Sequence, residues 1–327
     1  MNILTGDIGG THTRLATVVK ESGRFRVAHV TRYASRNFDG LQPIIERFLH
    51  DHPDDQPHQA AFGVAGPVVD GSCRTTNLPW ELSETALSGA LGITRAHLLN
   101  DLEALAWGID TLDDAELTPL QTGHPVEQGN KAVIAAGTGL GQAGLAFDGA
   151  RHRPFACEGG HTDFAPQTER DVALLNALQA RYGHVSWERI VSGPGLVELF
   201  RHVLASAKVV APDWLNDPQQ DAAANISQRA LTGDEDLCVE TLDWFIELYG
   251  REAGNLALKL NARGGLYLGG GISPKILAAL RTGRFMEAFL DKGRMSELLR
   301  SVPVKVICDE QIALSGLARY ALLAETT

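Results

Sequence analysis

The sequence predicts an α/β protein of two domains, on three observations. Its 327 residues correspond to roughly two domains at about 150 residues each. Apolar runs of strand character alternate with helical stripes along the chain. A strand, a glycine–threonine turn and a second strand also occur in that order twice, at 3–19 and 131–147.

Taken in order, Ile3 and Leu4 lead through Gly6-Asp7-Ile8-Gly9-Gly10-Thr11 into the strand Arg14 to Val19, a hairpin pattern. Leu41, Ile44, Ile45, Phe48 and Leu49 recur at helical spacing and predict an amphipathic helix over 40–51. Ala60 to Val64 is a short apolar strand. Another strand ends at Leu98-Leu99, and Leu102, Leu105 and Ile109 begin a helical stripe. The Asp-, Gly-, Pro- and Gln-rich stretch 110–130 reads as a connection, which places a domain boundary near 112. Lys131 to Ala136 is strand-like, and Ala143 to Phe147 is a second strand ending in an Asp148-Gly149 turn. Helices are expected over 169–182, 194–206 and 236–262. Leu266 to Leu268 is a strand entering Gly269-Gly270-Gly271, with a helix start at Ser273-Pro274. Val304 to Cys308 is the last strand, before a helix from about 311.

Composition excludes several classes of function. With 44% hydrophobic and 21% charged residues the chain can build a large core. Its net charge of −11 argues against a nucleic-acid partner, which needs a basic stripe. Lys/Arg interleaved with aromatics is absent, and Trp187, Trp214 and Trp244 read as packing. Cys73, Cys157, Cys238 and Cys308 lie far apart with no CxxC spacing, so neither a disulfide scaffold nor a zinc ribbon is expected. The first six residues do not have the form of a signal peptide, and Ala132 to Phe147 is broken by glycines. The expectation is a soluble cytoplasmic protein with no membrane partner.

The clustered glycines carry the functional signal. Glycine turns bring backbone N–H groups close to an anion. Three of them (Gly6 with Gly9 and Gly10, Gly137 with Gly139, and Gly269 to Gly271) point to a polyphosphate, the alternative being three tight turns. There is no GxxxxGK[ST] loop. Gly139-x-Gly141-x-x-Gly144 satisfies GxGxxG, but a hairpin follows it where a dinucleotide fingerprint needs a helix. Asp7, beside the first turn, suits a hydrated Mg²⁺; the other reading is a turn carboxylate bonded to its own backbone. Thr11 and Thr138 offer hydroxyls to phosphate oxygens.

The ordered set Gly6-Asp7-Ile8-Gly9-Gly10-Thr11-His12-Thr13-Arg14, Leu99-Asn100-Asp101, Gly137-Thr138-Gly139-Leu140-Gly141, Glu158-Gly159-Gly160-His161, Ser192-Gly193-Pro194-Gly195 and Gly269-Gly270-Gly271-Ile272 resembles the bacterial glucokinases of the ATP-dependent proteobacterial type, almost end to end. The resemblance implies the hexokinase–actin–heat-shock ATPase fold, with two ribonuclease-H-like domains and ATP and sugar in the cleft between them. The expected domains are 1–112 with a returning C-terminal helix at about 308–327, and 113–307. It further implies ATP, Mg²⁺ held by Asp7 through water, phosphorylation of D-glucose at O6, and a homodimer. Gly6, Asp7, Ile8, Gly9, Gly10, Thr11, Gly137, Thr138, Gly139 and Gly269 to Gly271 would hold the nucleotide. The cysteine-rich zinc motif of related repressors and sugar kinases is missing after His161, so no structural zinc is expected.

Asp101 is the candidate proton acceptor for the sugar hydroxyl. Asn100 and Asp101 also read as helix N-cap residues, and the two roles are compatible. By the same resemblance Asn100, Asp101, Glu158, His161 and Glu188 contact the sugar. Residue types alone leave Glu158 and His161 open as a polar turn pair and Glu188 as a first-turn glutamate behind Ser186. Asn77 is a further sugar-side candidate, with a turn role equally open. The alternatives are a kinase for mannose, fructose or an N-acetyl sugar, and a non-catalytic nucleotide-binding protein such as an actin-like subunit or a sugar-sensing regulator.

Overall fold

A computed structural model describes residues 2–75 and 78–324 of the chain. The chain divides into two compact units, Met1–Glu116 with Pro154–Ala156 and Asp309–Thr327, and Leu117–Arg153 with Cys157–Cys308. Both mix sheet and helix. No helix among the described residues is long and apolar enough to cross a membrane.

The first unit contains strands β1 (Asn2–Ile8), β2 (His12–Glu21), β3 (Arg24–Ala34), β4 (Gln59–Val64), β5 (Ser72–Arg74), β6 (Glu81–Ser83) and β7 (Ala96–Asn100). Its main sheet runs β3-β2-β1-β4-β7, and β5 pairs with β6 separately. β1 is antiparallel to β2 and parallel to β4, which is parallel to β7. Side chains alternate across this sheet with the period of two that a strand imposes. Leu4, Phe62, Val64 and Leu98 pack on one face against Leu41, Ile44, Ile45 and Phe48, the single apolar stripe of the helix Leu41–Asp51. Ile3, Ala61 and Leu99 pack on the other against Ala104, Trp107, Leu314 and Leu317. β4 is buried along its whole length because both faces are covered.

The second of those layers is unusually close. A Cβ on Gly316 of the helix Ile312–Ala324 would lie 2.0 Å from the Ala104 carbonyl oxygen, and one on Gly108 2.4 Å from that of Ile312. Glycine at both positions lets the C-terminal helix lie directly on Asp101–Gly108. Arg319 reinforces the contact, donating to the Trp107 carbonyl at 3.0 Å and to Asp110 at 2.9 Å.

The second unit contains β8 (Leu117–Gln121), β9 (Lys131–Ala136), β10 (Leu140–Phe147), β12 (Gly265–Gly269) and β13 (Val304–Ile307), and its sheet, which also takes in β11 (His152–Cys157), has the order β11-β10-β9-β12-β13-β8. β9 is antiparallel to β10 and parallel to β12, and β12 is parallel to β13. The sequence of a hairpin, a third strand at its outer side and two parallel strands at its inner side is that of the first sheet, so the short repeat at 3–19 and 131–147 belongs to a repeat of whole sheets. The 25-residue helix Asp236–Leu260 supplies Trp244, Phe245 and Tyr249 to the core, where the Tyr249 hydroxyl donates to the Ile134 carbonyl at 3.2 Å.

The structure departs from the sequence expectations in several places, including β5, β6 and the helices Glu84–Leu91 and Arg284–Leu290, none of which was expected. β3 and the helix Ala222–Thr232 were not expected, and the connection 110–130 contains β8, which pairs antiparallel with β13. The segment after Gly269–Gly271 turns through Ser273 and Pro274 and becomes helical only at Leu277. The Ser273 hydroxyl donates back to the Gly269 carbonyl at 3.0 Å and holds the chain in that turn.

Candidate active site

In the first unit, β1, β4 and β7 point the same way and align Asp7 with Gly63 and Leu99, and Ile8 with Val64 and Asn100. The Gly9–Thr11 turn and the Asn100-Asp101 pair therefore leave the sheet at one edge, the carboxyl ends of its parallel strands, where α/β proteins gather ligand groups. The turn is closed by Gly9 N–H on the His12 carbonyl at 3.0 Å. Ser35 props it from outside: its hydroxyl donates to the Gly9 carbonyl at 2.8 Å and its N–H to the Thr11 carbonyl at 3.0 Å.

Asp7 is paired with Arg14, whose Nε and Nη2 reach Asp7 Oδ2 at 3.2 and 2.5 Å, and Arg14 Nη1 donates to the Glu310 carbonyl at 3.0 Å. Asn100 caps the helix Asp101–Gly108, its Oδ1 accepting the N–H groups of Leu102 at 3.0 Å and Glu103 at 3.4 Å, and its Nδ2 donating to the Gly66 carbonyl at 3.2 Å. The exposed Asp101 side chain takes the Leu102 N–H on Oδ1 at 2.8 Å. Cap and carboxylate are thus adjacent residues, both accepting the Leu102 N–H.

In the second unit, β9 and β12 are parallel with Ala135 opposite Gly269, so the Gly137–Gly139 turn and Gly269–Gly271 share one sheet edge. Gly270 has φ +78°, and a Cβ there would lie 2.3 Å from the Ala136 carbonyl oxygen; only glycine allows this approach. Ser192 caps the helix Gly193–Ala207, and the Gly193 N–H donates to the Gly137 carbonyl at 2.8 Å.

Three sequence-predicted sugar residues come together in this unit. His161 stands between two carboxylates, with Nε2 3.9 Å from Glu158 Oε2 and Nδ1 3.9 Å from Glu188 Oε1. Glu158 and His161 are exposed, whereas Glu188 is half-buried and accepts the Leu140 N–H on Oε2 at 3.0 Å. Gly160 fits under this cluster only as glycine, since a Cβ would lie 1.9 Å from the Leu140 carbonyl oxygen. Ser186 makes no side-chain cap to the short turn Trp187–Arg189, so Glu188 is placed by Leu140 and by the Ser192 hydroxyl on its own carbonyl at 2.7 Å.

The glucokinase family model matches residues 4–324. The chain is 41% identical to the glucokinase of Synechocystis sp. over 97% of each chain, and 40% identical to that of Nostoc punctiforme over 98% of each. Among solved structures, a glucokinase from an Antarctic psychrotroph superposes with a TM-score of 0.87 at 34% identity, covering 98% of this chain and 99% of that one. The chain belongs to the glucokinase family.

Within this glucokinase-family chain some site-supporting residues escaped sequence reading. Gln142 and Glu252 lie behind the Glu158–His161 turn, with Gln142 Nε2 donating to Glu252 Oε1 at 2.8 Å. Gln142 had a signal, a polar residue inside the apolar strand β10, whereas Glu252, flanked by Arg251 and Asn255 in the long helix, had none. Ser35 gave no signal, and Arg14 stood in the first motif without a role. Asn77 lies outside the described residues.

Proposed function

We propose that this glucokinase-family chain transfers the γ-phosphoryl group of ATP to O6 of D-glucose, with Asp101 as the general base. The O6–Pγ bond forms, the bond from Pγ to the β-phosphate bridging oxygen breaks, the O6 proton passes to the Asp101 carboxylate, and glucose 6-phosphate and ADP leave. In such a transfer positioning and charge stabilisation matter more than basicity.

Each residue's part follows from its chemistry. Glu158 and Glu188 accept sugar hydroxyl protons, His161 accepts on one nitrogen and donates on the other, and Asn100 offers its amide. The N–H groups of the Gly9–Thr11 and Gly137–Gly139 turns face the phosphates, joined by the Thr11 and Thr138 hydroxyls. The residues suit Mg²⁺. A hard cation takes oxygen donors, and both Arg14 bonds fall on Asp7 Oδ2, so Oδ1 is the atom to meet a metal-bound water. Bound there, Mg²⁺ would neutralise phosphate charge. The matching strand orders support reading both units as ribonuclease-H-like domains. A cytoplasmic homodimer is the assembly we adopt from the family resemblance.

The observation that carries this reading is the Asn100-Asp101 junction: a carboxylate oriented by the Leu102 N–H on its Oδ1 at the carboxyl edge of parallel strands, next to the residue that caps the helix. Asp101→Asn should therefore fold normally, lose about 10²–10⁴-fold in kcat, and bind glucose within a few-fold of the parent in calorimetry. A variant that keeps most of its turnover removes Asp101 from the base role.

A further inference from the structure

Four of the chain's 11 histidines, His29, His50, His52 and His58, lie on β3 or at the end of the helix Leu41–Asp51 and just beyond it. Two of them form a cluster with Asp55 that the phosphoryl-transfer reading does not use. His29 stands on β3, the edge strand of its sheet, and is half exposed. His52 is the C-cap of the helix, its N–H on the Phe48 carbonyl at 3.0 Å. Asp55 follows in a turn closed by its N–H on the His52 carbonyl at 3.1 Å, and its side chain is only 12% exposed.

We propose that His29, His52 and Asp55 form a binding site for a divalent transition metal of the Zn²⁺ class. One ligand atom from each lies within 4.8 Å of the other two, and His29 Nδ1 is 2.6 Å from Asp55 Oδ2. The imidazole planes of His29 and His52 are within 15° of parallel with centroids 4.7 Å apart, and the Phe48 ring, 4.8 Å away, backs His52. The loop that carries Asp55 is pinned to β1, by Asn2 Nδ2 on the Asp54 carbonyl at 3.3 Å and the His58 N–H on the Asn2 carbonyl at 3.0 Å. Two chain segments, β3 and the turn 52–55, thus present three donors to one point beside a helix carboxyl end, whose carbonyls favour a cation.

The donor set selects the metal. Two imidazole nitrogens and one carboxylate oxygen suit Zn²⁺, Co²⁺ or Ni²⁺, whereas Mg²⁺ and Ca²⁺ take oxygen. Bonds of about 2.0–2.2 Å set tetrahedral donors roughly 3.4 Å apart, with water in the fourth position. Loading therefore parts His29 from Asp55 and draws the remaining donors inward. The half-exposed His29 ring has room to turn, and His52 and Asp55 close on each other by side-chain rotation about the turn that joins them.

The test uses the full chain without nucleotide or sugar, titrated with Co²⁺ and followed by visible absorption, then with Zn²⁺ in competition. One Co²⁺ per chain, displaced by Zn²⁺, is the expected result, with a rise in melting temperature. His29→Ala and Asp55→Asn should each weaken binding by about 10-fold or more through loss of one ligand, while His50→Ala binds as the parent does. Glucose phosphorylation in metal-depleted buffer supplemented with Mg²⁺ should be unchanged in His29→Ala. Absence of binding at 100 µM Co²⁺ (a concentration set at about 100 times a micromolar Kd) overturns the proposal. So does binding that persists undiminished in both ligand variants.

Discussion

Glu188 Oε2 accepts the N–H of Leu140 at 3.0 Å, and a Cβ on Gly139 would lie 2.4 Å from that same oxygen. The carboxylate assigned to the sugar and the turn assigned to phosphate are therefore tied by one hydrogen bond. Gly139→Ala should displace the flexible end of Glu188 and leave the fold intact. Losing a charge-assisted bond of roughly 1.5 kcal/mol corresponds to about a 10-fold rise in KM, expected for glucose and ATP together. At Gly137 a Cβ meets no protein atom within 4 Å, so Gly137→Ala should raise the KM for ATP alone. Steady-state kinetics with each substrate varied separates the two variants, and identical behaviour would show that the turn and Glu188 are not linked.

A second link runs behind the Glu158–His161 turn. Glu252 is fully buried, and its two oxygens accept from Gln142 Nε2 at 2.8 Å and Asn255 Nδ2 at 3.0 Å. Burial pushes this carboxyl above the usual carboxylate range, against the pull of those two amides. A Cβ on Gly159 would lie 2.0 Å from Gln142 Oε1, so the turn rests on the Gln142 amide. Gln142→Ala should cost about 1–3 kcal/mol by leaving Glu252 short of a donor. By loosening the turn it should raise the KM for glucose and leave that for ATP in place. The double exchange Gln142→Glu with Glu252→Gln keeps a donor facing an acceptor and should recover part of both losses, read as melting temperature and the two KM values.

The helix that begins with Asp101 depends on two glycines for its seat. Gly316→Ala would place a methyl group 2.0 Å from the Ala104 carbonyl oxygen and 2.5 Å from the Gly108 nitrogen, both backbone atoms. Overpacking of this kind costs about 1–3 kcal/mol, and relief requires the two helices to part. Thermal unfolding should show the loss, and kcat should fall with it because Asp101 moves with its helix. An unchanged melting temperature would mean that the helices are not packed this closely.

What the sequence made legible follows from periodicity and burial. Leu41, Ile44, Ile45 and Phe48 lie on one helical stripe because a single sheet face receives them, so the pattern was clean. β3 was hidden because it is an edge strand, half exposed and carrying Arg24, Arg26 and Arg32 among its apolar residues. β8 was hidden by Pro119, which an edge strand tolerates and a central one does not. The helix Ala222–Thr232 buries only Ile226, too little for a stripe. In the site, the glycine turns and Asn100-Asp101 were readable because each is a local pattern. Gln142 and Glu252 stand 110 positions apart and Ser35 stands 26 from Gly9, so only folding joins them.

Acid sensitivity should centre on Asp171, which is fully buried and ties the helix Glu169–Tyr182 to the long helix. Burial alone would raise its carboxyl. The N–H groups of Gln167 and Thr168 at 3.0 and 2.9 Å, Trp244 Nε1 at 3.0 Å and Arg251 Nη1 at 2.5 Å outweigh that and hold it below the usual carboxylate range. Because the folded value lies below the unfolded one of about 3.9, this stabilisation is complete above the unfolded value and is lost as pH falls through the folded one. Glu252 has the opposite sign: its raised carboxyl makes the folded state less stable as pH rises through the folded value. Asp171→Asn should cost about 3–5 kcal/mol near neutral pH, since it leaves Arg251 without its buried partner. The difference from the parent should shrink in urea unfolding as pH drops below about 4. Parallel pH profiles for the two proteins would show that the Asp171 charge does not stabilise the fold.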